Sequence, residues 1–204
     1  MNKEQIDNIV KRIKQSFRLY MNGVAAASMK KKGLDYKISW GVSLQHLQEI
    51  AKEYGKNYKI ADALWQSDVR ECKILALMMY PPEEMKLEEL EIIMKQIKTQ
   101  ELAEFYVVNI LQYLSFGSKI ALRWVTNQNN LYKICAYNLF GRLFMKSVDL
   151  EKGDLDLYIK HVSYDLAGKN VLVKHSVLNS LIHLAEMKPE YEELVANLHN
   201  KCIY

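Results

Sequence analysis

Ala63-Leu64-Trp65-Gln66-Ser67-Asp68-Val69-Arg70-Glu71 has the form of a junction between two helices. A short helix near 57–65 closes on Trp65, whose large apolar ring anchors a core. Ser67 then offers an N-cap hydroxyl, Glu71 suits the positive end of a helix dipole, and Leu75, Ala76 and Met79 continue a helical apolar face. The same arrangement recurs. Short helices are predicted near 57–65, 86–97, 118–126 and 153–166, each followed by a longer one starting near 67, 99, 130 and 170. Starts 31 to 40 residues apart fit degenerate two-helix repeats, whose apolar faces are covered by stacking on neighbours.

Outward from this junction the helical period persists, as in Ile6, Ile9, Val10, Ile13, Phe17 and in Leu44, Leu47, Ile50, Ala51, Tyr54. Ser43, Ser67, Thr99, Ser118 and Asn170 are candidate N-caps, and Gly55 and Gly117 sit where helices should stop. Pro81-Pro82 ends one helix and Pro189 opens the last. No stretch alternates like a strand. Periodicity by itself admits a right-handed HEAT-like or armadillo-like solenoid of five or six helix pairs, or an irregular all-α bundle.

Half of the 204 residues are hydrophobic and a quarter charged, enough to bury a core without disulfides or metals. With eight Gly, three Pro and no linker-like stretch, one domain over 1–204 is expected. The amino terminus lacks a signal-peptide pattern and no apolar run approaches a membrane span, so no membrane partner and a cytoplasmic location are expected. Cys72, Cys135 and Cys202 are odd in number and far apart, and read as buried thiols. His46, His161, His175, His183 and His199 have no metal-ligand spacing, and no Gly-rich phosphate loop is present. Neither a metal nor a cofactor is expected. A net charge of +4 and a pI near 8.8 are compatible with a polyanionic partner without requiring one.

Asn22-Gly23-Val24-Ala25-Ala26-Ala27-Ser28-Met29, Gly33-Leu34-Asp35-Tyr36 and Gly41-Val42 lead into Leu47-Gln48-Glu49-Ile50-Ala51-Lys52. With the Leu64-Trp65-x-Ser67 junction, Glu71 and Ala76, this order resembles the DNA alkylation repair family from about residue 20 to about 190. The resemblance implies a HEAT-like solenoid that holds duplex DNA along its concave face. It further implies excision of cationic purines alkylated at ring nitrogens. Such a base leaves readily, so catalysis consists of stabilising charge on the deoxyribose with a carboxylate and aromatic faces. The family supplies an aspartate one helical turn after a tryptophan, a second tryptophan on a later helix and an arginine for the DNA backbone.

At the matching places this chain carries Phe105 for the first tryptophan, Asn109 for the aspartate, Cys135 for the arginine and Leu178 or Asn179 for the second tryptophan. Phe105, Asn109 and Asn179 are therefore the candidate catalytic positions, each substituted, and a neutral amide cannot replace the carboxylate's electrostatic role. Glu104 is a possible substitute carboxylate, against the plain reading of a solvated surface side chain; Asp165 and Glu186 are read the same way. Candidate DNA-binding residues are Lys30, Lys31, Lys32, Arg70, Lys73, Lys133, Cys135 and Lys174, with Lys37 noted beside them. The expected partner is duplex DNA, held non-specifically by its phosphates. The alternative is a non-enzymatic protein-interaction scaffold that has lost DNA.

Overall fold

The computed structural model describes residues 1–34 and 36–203, with side chains described as far as Leu198. Asp35, the side chain of His199 and that of Cys202 lie outside the described residues. Among the described residues twelve α-helices follow one another: α1 Lys3–Phe17, α2 Gly23–Lys31, α3 Leu44–Tyr54, α4 Tyr58–Trp65, α5 Arg70–Met79, α6 Leu87–Gln96, α7 Gln100–Asn109, α8 Gly117–Val125, α9 Asn130–Met145, α10 Lys152–Ala167, α11 Val171–Met187 and α12 Pro189–Ile203. Single 3-10 turns occupy Pro82–Glu84 and Leu111–Tyr113. Among the described residues there is no strand, only an isolated bridge between Ile38 and Val69. Among them too, no helix is long and apolar enough to cross a membrane.

The punctuation explains most boundaries. Asn22, Ser43, Asn57, Asn129 and Asn170 each accept an amide of the following first turn. Thr99 Oγ1 accepts from Leu102 N–H at 3.3 Å. Gly55 ends α3 at φ +67°, and Pro81 follows the extended Tyr80 that ends α5. Two expectations fail. Ser67 is not a cap, because α5 starts at Arg70 with Val69 before it, and the Arg70 amide donates instead to Ile38 O at 2.9 Å. Gly117 and Ser118 neither stop a helix nor cap one; Gly117 opens α8.

The chain packs as two compact units, Met1–Phe105 and Tyr106 onward. In the first, α5 packs on α4 and α3, and α4 on α1. Phe17, Leu47, Leu64, Trp65 and Leu75 fill that core, so Trp65 is the structural anchor its position suggested. In the second unit, α8 contacts α10 and α10 contacts α12, while α9 contacts α11. Each helix thus meets the one two elements away as well as its hairpin partner, the pattern of stacked helix pairs. α9 and α11 meet at Gly141, where a Cβ would lie in van der Waals contact, 3.4–3.6 Å, with His183, Asn179 and Ser180. Beneath it Tyr158 meets Phe140, Phe144 and Tyr137 edge-on, and its hydroxyl shares a 2.7 Å hydrogen bond with Ser180.

Each core contains a charged cluster. In the first unit the fully buried Glu71 carboxylate accepts from the backbone N–H groups of Trp40, Gly41 and Val42 at 3.0–3.3 Å. Arg70 bridges Glu71 at 3.4 Å and forks onto Glu101 at 2.9 and 2.5 Å. Tyr36 donates to Glu101 at 2.8 Å and lies 2.8 Å from the Thr99 hydroxyl. Burial is the largest influence on Arg70 and opposes its charge, but the Glu101 hydrogen bond together with the charges of Glu101 and Glu71 outweighs it and raises the guanidinium's pKa. Gly41 sits at φ +69° with its missing Cβ 2.1 Å from Asn22 O, so only glycine fits this turn. In the second unit Asp165 accepts from Lys133 at 2.5 Å and from Tyr137 at 2.7 Å, all three buried.

Two stability outcomes follow. Glu71→Gln turns amide hydrogens toward the donors of residues 40–42 and should cost about 2–4 kcal/mol in denaturant unfolding. Asp165→Leu strands the Lys133 ammonium and should cost about 3–5 kcal/mol, while Lys133→Met with Asp165→Leu should recover most of that loss; equal losses in single and double variants would refute the pairing.

Candidate nucleic-acid interface

The Glu71-held loop, the start of α5 and the α6–α7 turn enclose an open cleft of about 340 Å³ in the first unit. Lys37, Lys73, Lys95 and Lys98 line it, with Asp68 the one acidic side chain among the lining residues. Asp68 pairs with Lys37 at 3.0 Å, and that hydrogen bond holds its carboxyl below the usual range. Lys73 donates to the Trp65 carbonyl and sits 4.4 Å above the Trp65 ring, and burial lowers its pKa. Lys95 and Lys98 are exposed on either side of the α6 end. Four ammonium groups against one carboxylate leave a surplus of positive charge on a concave surface, which suits successive phosphates. Among the described residues no group of three His, Cys, Asp or Glu side chains could hold a metal.

The structure divides the expected DNA-binding residues. Lys30, Lys31 and Lys32 are exposed at the carboxyl end of α2, where they also complement the helix dipole. Lys73 lines the cleft, and Lys174 is half-buried in the first turn of α11. Arg70, Lys133 and Cys135 are corrected. Arg70 and Lys133 are buried and committed to Glu101 and Asp165, and Cys135 is fully buried, so none of the three presents itself to a phosphate. Arg70 and Lys133 stand on longer helices like the other candidate charges, and which of them meets an acidic partner some 30 residues away depends on the fold. The contribution of Lys95 and Lys98 was missed, though their three-residue spacing ahead of the Thr99 cap was a usable signal.

Phe105 and Asn109 are both half-buried on α7, one turn apart as the resemblance requires, and the helix ends at Asn109. Glu104 is exposed and accepts from Gln100 at 2.7 Å. Asn179 is exposed on α11 against the Gly141 crossing, and Leu178 is exposed beside it. Asp165, thought to be a solvated carboxylate, is instead the buried partner of Lys133; Glu186 is exposed and pairs with His183 at 3.0 Å.

Comparison with known proteins gives this geometry a context. Residues 13–199 match the family described as DNA alkylation repair enzyme. No curated protein matches the chain. Among solved structures, a protein from "a new family of proteins related to the HEAT-like repeat DNA glycosylases with affinity for branched DNA structures" is 14% identical, with a TM-score of 0.84 over 94% of this chain and 82% of its own. That likeness establishes the all-helical HEAT-like repeat fold expected from the helix spacing together with the family resemblance. The family match runs from within α1 into α12 and spans both units, and the chain belongs to the DNA alkylation repair enzyme family.

Proposed function

We propose that this protein binds DNA through its sugar–phosphate backbone and that it excises alkylated purines slowly or not at all. The observation that carries the reading is the cleft lined by Lys37, Lys73, Lys95 and Lys98, an electropositive concavity in a member of a DNA repair family. Phosphate contacts of this kind are independent of sequence and release counterions. The affinity for branched DNA of the structurally similar protein supports branched or distorted DNA as the preferred form. On the catalytic side, Asn109 in place of the family's aspartate leaves no carboxylate at the position that would stabilise an oxocarbenium-like sugar.

A second reading, a protein-interaction scaffold, draws on α11. Val171, Leu178 and Ile182 are exposed at seven- and four-residue spacing along one face. The two readings separate on salt. Fluorescence anisotropy of a labelled four-way junction and of a linear duplex should report binding that weakens steeply as salt rises, tighter for the junction. Lys95→Gln with Lys98→Gln should weaken both and reduce the salt slope by about one per lysine removed. No binding at low salt, or binding indifferent to salt, would leave the scaffold reading in possession.

A further inference from the structure

A second groove, of about 440 Å³, runs between α1 and Trp40. Lys11 and Lys14 on α1 and Arg18 just past its end follow one another at three- and four-residue spacing, with Asp7 one turn earlier. Arg18 lies 6.0 Å from the centroid of the Trp40 ring. Trp40 is only half-buried, whereas Trp65 and Trp124 are each 1% exposed. Its backbone is fixed on both sides: the amide donates to Glu71 at 3.1 Å, and the carbonyl accepts from Asn22 N–H at 2.9 Å. A half-buried tryptophan is thus held at the groove beside three cations, on a loop whose ordering is already supplied by the fold.

We infer that this groove binds single-stranded nucleic acid, with an unstacked base against Trp40 and the phosphates beside it on Lys11, Lys14 and Arg18. The inference rests on the nucleic-acid reading above and adds a distinct site to it. The chemistry selects the ligand. Three cations against one carboxylate attract any polyanion, but an indole face adds affinity only for a partner that carries its own planar ring within reach of its phosphates. Bases inside a duplex are already stacked, so the groove takes bases that are unpaired, such as those of a single-stranded tail or a branch point. An acidic peptide would satisfy the lysines and gain little from the ring.

The arrangement of tryptophans makes the site directly observable. With Trp65 and Trp124 enclosed, a base that stacks in the groove can quench only Trp40 by contact. Titration of the full chain with an oligothymidylate of about 12 nucleotides should quench intrinsic fluorescence saturably. Trp40→Phe should abolish the quench while retaining most of the binding seen by anisotropy of the labelled oligonucleotide. Trp40→Leu should weaken that binding roughly five-fold or more, the range expected for one base–aromatic stack. Arg18→Glu with Lys14→Glu should weaken it further, and circular dichroism should show all variants folded. Polyglutamate of similar charge should give no quench. The inference is overturned if the quench survives in Trp40→Phe, if Trp40→Leu binds the oligonucleotide as tightly as the natural protein, or if polyglutamate quenches equally. If salt-dependent junction binding persists through any of these results, only the groove assignment falls. If no DNA of any form binds, the nucleic-acid reading falls with it.

Discussion

The buried carboxylate of Glu71 organises the first unit. It is enclosed by three consecutive backbone N–H groups from the distant stretch 40–42 and by the guanidinium of its neighbour Arg70. An unpaired carboxylate in that position would be prohibitively costly, and so would three unpaired amides; the fold satisfies both at once. What is fixed as a result is the stretch from Tyr36 to Val42, and with it the two electropositive surfaces of this unit. Lys37 is delivered to one and Trp40 to the other. Arg70 and Tyr36 extend the network to the start of α7, so the helix carrying Phe105 and Asn109 is anchored at its beginning by the same set of charges.

Much of the architecture was legible in the sequence because its determinants are local. Asn170 and Ser43 cap helices, Gly55 and Pro81 end them, and Trp65 is buried, each for reasons contained within a few residues. The failures were non-local. Ser67 lost its capping role because a distant carbonyl, that of Ile38, took the amide in question. Arg70 and Lys133 have the composition of phosphate ligands and the positions of core residues, and only the tertiary fold brings Glu101 and Asp165 to them. Glu71 was read as a first-turn dipole partner. That is true of its place in α5, but its four backbone-linked contacts to residues 40–42 are invisible until the chain turns back on itself at Gly41.

The positions that resemble the family's catalytic groups show the converse. Phe105 and Asn109, the positions the resemblance assigns, lie one turn apart and half-buried on α7. Asn179 sits exposed on α11, facing Gly141 of α9. Cys135 has gone further, from a position matched to an arginine into the apolar interior. The electropositive cleft and the amide at Asn109 carry the proposed reading, recognition separated from turnover.

That separation is the central claim, and base release from DNA carrying a cationic methylated purine tests it most directly. Under single-turnover conditions the natural protein should release the base little faster than DNA alone, and Asn109→Asp should gain about tenfold or more, roughly 1.4 kcal/mol of barrier. Robust excision by the unmodified protein, unaffected by Asn109→Ala, would contradict the account and place the active centre elsewhere.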